Sequence, residues 1–193
     1  MRIIAGAFRG RRLQSPKDKE IRPTIDRVRE AVFSIIAAQV QGARALDLFA
    51  GTGAMGLEAL SRGASFCIFV DQGAQALRLI RENIELCGAQ EKSRLIQGTV
   101  SSVIKRLGAE NEVFDLIFMD PPYGKGYLEE ALELAESIAG GETLVIAEHH
   151  IKDESPQVSG IWQKDRERRY GDTLISVYSR FERVERQEER CST

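Results

Sequence analysis

Along the 193-residue chain, apolar positions follow two rhythms. Short apolar runs of the kind found in buried strands alternate with stretches where apolar residues return every three or four positions, the repeat of a helix with one face on a core. Residues 45–49 read as a strand, and 53–62 as a helix stopped at Gly63. Strand 66–70 and helix 74–87 repeat the scheme, with Leu77, Ile80, Ile84 and Cys87 on one helical face and Gly88 at its end. Strand 94–97 leads into a short helix carrying Val103, Ile104 and Leu107. Residues 113–119 give the clearest strand, followed by a helix over 128–138 and a strand over 143–147. Runs 161–169 and 173–181, joined by Tyr-Gly-Asp with no helix between them, predict an antiparallel hairpin at the sheet edge. Upstream, 2–13 reads as two short strands around Gly6 and Gly10. A polar loop from Pro16 to Pro23 and a helix over 25–38 follow, with Thr24 or Asp26 as the N-cap.

Five β/α alternations imply a mostly parallel sheet with helices on both faces and ligands beyond the carboxyl ends of the strands. The length suits one principal domain. The expected organisation is an arm over 1–24, a main domain over 25–182 and a charged tail over 183–193.

Composition changes this picture only at the amino end. Hydrophobic residues at 42% and charged residues at 29% describe a globular protein. No stretch approaches the roughly 18 apolar residues of a membrane span, and the start lacks a signal peptide, so a cytoplasmic chain is expected. Cys67, Cys87 and Cys191 are too scattered for disulfide pairing or a metal clip and read as reduced thiols. Net charge is −2, which gives no support to a polyanion partner. Up to Arg29, however, nine basic residues face three acidic ones, an excess of six on what should be an exposed arm.

Three loops carry candidate chemistry. Asp47-Leu-Phe49-Ala-Gly51-Thr52-Gly53-Ala-Met-Gly56 runs from strand through glycine turn to helix, where backbone can approach a ligand and free N–H groups can meet a polar moiety. Its Gly-x-Gly-x-x-Gly spacing fits a dinucleotide site as well as an S-adenosylmethionine site. Asp71, twenty positions after Gly51, can accept hydrogen bonds from both ribose hydroxyls of either ligand. The third loop separates the two: after strand 113–119 come Asp120-Pro121-Pro122-Tyr123. Two prolines hold Asp120 and Pro121 extended, so the carboxylate and the Pro121 carbonyl can accept both hydrogens of an amino group and turn its lone pair toward an electrophilic methyl. Tyr123 offers a face for an extruded base. Hydride transfer needs no such loop. Glu148, His149 and His150 end the fifth strand, but neighbouring strand residues point to opposite faces, so the histidines do not read as a metal site. Trp162 reads as packing.

With these loops in place, the chain resembles the bacterial small-subunit ribosomal RNA guanine-N2 methyltransferases, the RsmD family, over nearly its whole length. The likeness lies in Arg2-Ile-Ile-Ala-Gly6, Arg9-Gly-Arg11, Arg22-Pro-Thr24, Asp26-Arg-Val-Arg-Glu30-Ala-Val-Phe33, the glycine loop, Asp120-Pro-Pro-Tyr123 and Tyr170-Gly-Asp172. The resemblance implies a Rossmann-like, seven-stranded class I methyltransferase sheet with a small RNA-contacting N-terminal hairpin. It also implies S-adenosylmethionine as cofactor and methylation of a guanine amine in 16S ribosomal RNA within an assembling small subunit, by a monomer without metal. Carried over by position, Asp47, Phe49, Gly51, Thr52 and Gly53 would lie at the cofactor, Asp71 on its ribose, and Asp120 with Pro121, Pro122 and Tyr123 at the amine. Arg9, Arg11, Arg12 and Arg22 would hold RNA phosphates. Thr99 stands where many relatives place an acidic or amide residue near the adenine, and Gly73 where a further acidic residue is common. The rival readings are an adenine-N6 methyltransferase on RNA or DNA, a nicotinamide-dependent oxidoreductase, and an RNA-binding assembly factor that keeps a degenerate fold.

Overall fold

Period and turn chemistry set the elements close to where the sequence places them. The computed structural model describes residues 1–16, 23–122 and 127–181. Helix α1 spans Pro23–Ile35 and a one-turn α2 spans Ala37–Val40. Strand β1 (Arg44–Leu48) leads to α3 (Ala54–Ser61), β2 (Phe66–Asp71) to α4 (Ala74–Cys87), and β3 (Ser93–Gln97) to α5 (Val100–Ala109). Strand β4 (Phe114–Met119) is followed by α6 (Tyr127–Ala135) and β5 (Ala139–His150). A two-residue β6 (Val158–Ser159) precedes the hairpin of β7 (Trp162–Tyr170) and β8 (Thr173–Arg180).

The sheet runs β3-β2-β1-β4-β5-β8-β7-β6. Pairing from β3 to β5 is parallel, and β8 enters antiparallel between β5 and β7. The predicted hairpin is therefore present, but β8 is an interior strand and β6 caps the far edge, giving eight strands where seven are expected. The winding reverses between β1 and β4, and a crevice opens beyond the carboxyl ends of strands at such a point. One sheet face packs under α1, α3 and α4 through residues such as Phe33, Leu57, Phe69 and Phe118. The other packs under α5 and α6 through Ile104, Leu107, Leu132 and Trp162, whose indole N–H donates to the Leu132 carbonyl at 2.7 Å. No described helix is long and apolar enough to cross a membrane.

The amino-terminal segment departs from its prediction. Its two strands reduce to one antiparallel bridge, Arg2 to Arg12. Instead of standing free, the segment inserts Ile3 and Leu13 into the core. Glu58 on α3, wholly buried, accepts from the backbone N–H groups of Ile4 (2.8 Å) and Ala5 (3.0 Å), and Ser61 accepts at its carbonyl from Ala7. Gly6 (φ +83°) makes this approach possible, because a Cβ there would fall 1.8 Å from the Ser61 carbonyl oxygen. Arg29, read as part of an exposed basic arm, is buried. It donates to the Arg2 carbonyl (2.6 Å) and to Asp26 (2.9 Å), and its Nε lies 3.5 Å from Glu58. Asp26 thus sits inside the first turn of α1 as an ion-pair partner and not as its N-cap; the helix begins at Pro23, which suits a first-turn position because no N–H is needed there. Arg2, Arg9, Arg11 and Arg12 stay exposed.

Candidate active site

Three strand ends meet at the switch point. Beyond β1 the chain turns sharply, with Phe49 at φ 60° and Gly53 in the left-handed region as the N-cap of α3. Asp47, buried in β1, accepts from the Gly56 N–H at 2.9 Å and so braces the start of that helix. Asp71, the last residue of β2, accepts from Gly51 N–H (2.9 Å) and Gly73 N–H (2.8 Å). Its carboxylate therefore shapes the glycine turn and still has lone pairs to offer a ligand. Asn83 on α4 donates to the Thr52 carbonyl (2.9 Å) and exchanges two hydrogen bonds with Gln14, joining the glycine loop to the amino-terminal segment.

Two adjoining cavities open here, about 620 Å³ and about 400 Å³ in volume. Phe49, Gly51 and Asp120 line both. The larger also takes in Asp71, Thr99, Ser101, Pro121, Pro122 and Leu134. That is a volume fit for a nucleoside, with a carboxylate for its ribose and an apolar and hydroxyl wall for its base. The smaller is walled by Thr52 and Asp47 on one side and by the amino-terminal segment, through Met1, Ser15 and Pro16, on the other.

Not every predicted residue arrives at this crevice. Gly53 lines neither cavity: a Cβ there would press on Phe69 and Ile80, so its place in the fold is a tight turn packed on β2. Thr99 does line the larger cavity, yet its hydroxyl also caps α5 by accepting from the Ser102 N–H at 3.3 Å. Arg9, Arg11 and Arg12 lie outside both cavities, and Arg11 is held by the Leu86 carbonyl (2.7 Å) and the Phe8 ring. Tyr123, Arg22 and the tail over 183–193 lie outside the described residues. His149 is buried, with its Nε2 2.9 Å from the Ser176 hydroxyl.

Sequence reading passed over Glu148, which lines the smaller cavity with Asp47 and Asp120. Its only local signal is an acidic residue ending an apolar strand. Burial, and after it the charge of Asp120, pushes the Glu148 carboxyl up to about 8. Burial likewise raises Asp47 to about 8, with Asp120 and Asp71 adding to it and the Gly56 N–H opposing. Asp47 starts from 3.8 and Glu148 from 4.5. The folded state thus holds more protons, and the stability this contributes is complete below the unfolded values and is lost as pH rises through about 8. His149, lowered by burial, acts at the acid side, where stability falls as pH drops. The cofactor-free protein should therefore melt at progressively lower temperature as pH rises from about 6.5, above the range of His149, to about 8, and level off beyond it. A flat or rising melting temperature by calorimetry over that span would contradict the assignment.

A parallel sheet with an antiparallel strand inserted beyond β5, a glycine turn after β1, a carboxylate closing β2 and Asp-Pro-Pro after β4 define an S-adenosylmethionine-dependent methyltransferase of Rossmann-like fold. The chain belongs to the family described as conserved hypothetical protein 95, whose pattern matches residues 1–179. It is 34% identical over 182 residues to the ribosomal RNA small subunit methyltransferase D of Escherichia coli K12, covering 93% of this chain and 90% of that one. The solved structure of the Escherichia coli protein yhhF superposes with a TM-score of 0.81 at 33% identity, covering 94% of this chain and 98% of its own. An S-adenosylmethionine-dependent methyltransferase from Agrobacterium tumefaciens shares the fold alone, with a TM-score of 0.64 at 18% identity over 84% of this chain and 63% of that one.

Proposed function

We propose that this chain methylates the exocyclic N2 amine of a guanine in small-subunit ribosomal RNA, using S-adenosylmethionine. The observation that carries the reading is the position of Asp120 at the join of the two cavities, next to the proline pair. The larger cavity suits the adenosine, with Asp71 toward the ribose, and Gly51 and Thr52 suit the methionine end. When bound, the cofactor supplies an electrophilic methyl on a sulfonium.

An exocyclic amine is a poor nucleophile because its lone pair is delocalised into the ring, so orientation and proton acceptance decide the rate. The Asp120 carboxylate and the Pro121 carbonyl accept the two amine hydrogens and aim the nitrogen lone pair along the carbon–sulfur axis. The new N–C bond forms as the C–S bond breaks, and the extra amine proton leaves through Asp120 to solvent. Tyr123 stacks on the base. Arg9, Arg11, Arg12 and Arg22 hold phosphates, consistent with the exposure of the first three. The kinship with the Escherichia coli enzyme supports small-subunit RNA as the target, met by a monomer in the cytoplasm as the subunit assembles.

The direct test is transfer of labelled methyl to small-subunit RNA from a strain lacking this activity, followed by nucleoside identification. N2-methylguanosine is expected. N6-methyladenosine as the sole product would refute the reading.

A further inference from the structure

The smaller cavity contains a carboxylate that the transfer chemistry above does not use. Glu148 lies one residue beyond the Met119–Ala147 register pair, which sets it beside Asp120 on the neighbouring parallel strand. Two residues upstream, Phe118 and Ile146 are register partners and share one sheet face. By strand alternation Asp120 and Glu148 share that face too, and both line the cavity. Across β8 the neighbour of Glu148 is apolar Ile175.

No described residue donates a hydrogen bond to the Glu148 carboxyl. The guanidinium that lines this cavity, Arg29, is already committed to Asp26, Glu58 and the Arg2 carbonyl. A largely desolvated carboxyl without a donor is unfavourable unless a ligand brings one. The rise of its ionisation toward about 8 is the same cost seen from the proton's side.

The donor has a definite chemistry. Neighbouring strands are about 4.8 Å apart, so carboxylates at matched register can receive hydrogens from adjacent positions of one ring. Guanine carries N1–H directly beside its N2 amine, whereas a purine with a lone pair at N1 has no hydrogen to give there. We infer that Glu148 accepts the N1–H of the guanine whose N2 amine is held at Asp120, and so selects guanine against purines that lack a hydrogen at N1. This rests on the guanine-N2 reading above.

The test uses RNA transcripts spanning the position that the wild-type protein methylates, made with either guanine or 2-aminopurine there. The analogue keeps the 2-amino group and the ring but has no hydrogen at N1. Assayed at about pH 9, where the carboxyl that burial lifts to about 8 is ionised and acts only as an acceptor, wild type should prefer guanine by about tenfold or more in kcat/KM, the scale of a hydrogen bond to a charged group. Glu148→Gln, whose amide can donate to N1, should narrow that preference by about tenfold while binding of S-adenosylmethionine, read by calorimetry, shows the fold intact. Glu148→Asp should retain the preference, and Glu148→Ala is the second variant that should lose it. Equal use of both bases by wild type, or an undiminished preference in a Gln or Ala variant that binds the cofactor, overturns the inference. Failure of wild type to methylate any guanine would instead refute the underlying reading, and this inference with it.

Discussion

Asp120→Ala is expected to lower methyl transfer by about 10³-fold or more while S-adenosylmethionine binding stays within about threefold of wild type. The large loss on turnover follows from position: Asp120 sits where the two cavities join, so it can touch the amine without carrying the cofactor. The cofactor contacts proposed above, Gly51, Asp71 and the wall around Thr99, line the larger cavity and are left in place by the substitution. Asp120→Asn is the informative partner, because the amide keeps an acceptor oxygen and cannot take the proton. Its activity should fall between the two. Single-turnover kinetics with labelled cofactor, paired with calorimetry, separates the effects. Turnover unchanged in the alanine variant would remove Asp120 from the reaction.

Glu58→Ala should be the most destabilising single change outside the crevice. Glu58 is 0% exposed and bonds two backbone N–H groups of the amino-terminal segment, the Arg62 guanidinium at 2.7 Å and, at 3.5 Å, Arg29, itself only 2% exposed. Removing the carboxylate leaves Arg29 a buried cation that keeps only Asp26 as a counter-charge, and strands two backbone donors. Losses of this type run to about 3–5 kcal/mol, which for a chain of this size lowers the melting temperature by roughly 6–20 °C. Glu58→Gln preserves shape and one acceptor and should cost less. Residues 1–16 should also become the first site of limited proteolysis, since they then keep only Ser61 of their two anchors on α3. A melting temperature within about 2 °C of wild type would show that the segment is held by the burial of Ile3 and Leu13 and by its bonds to Ser61, Arg29 and Asn83 without need of Glu58.

These two residues also show where sequence reading stops. The Asp120 loop is legible because its geometry is local: an apolar strand, then two prolines that restrict the residues before them. Helix α4 falls at its predicted residues for the same kind of reason, apolar spacing closed by Gly88 in the left-handed conformation. Glu58 carries no such mark. Within the helix pattern of α3 it reads as an ordinary polar position, and only the approach of Ile4 and Ala5, more than fifty residues away, makes it an anchor. Arg29, one of the basic residues that charge counting places on an exposed arm, is buried for the same cause: the carboxylate beside it comes from Glu58, far along the chain.

Taken by itself, the chain's order of residues determined the succession of strands and helices, the parallel α/β class, the glycine turn and the stiff proline loop. Each depends on periodicity or on backbone restrictions acting over a few neighbours. Tertiary structure alone decided that Glu148 stands beside Asp120, that Gly53 packs against Phe69 and Ile80, and that the amino-terminal segment walls the smaller cavity. Those outcomes require strand order and register, which are settled by packing between residues distant in the chain.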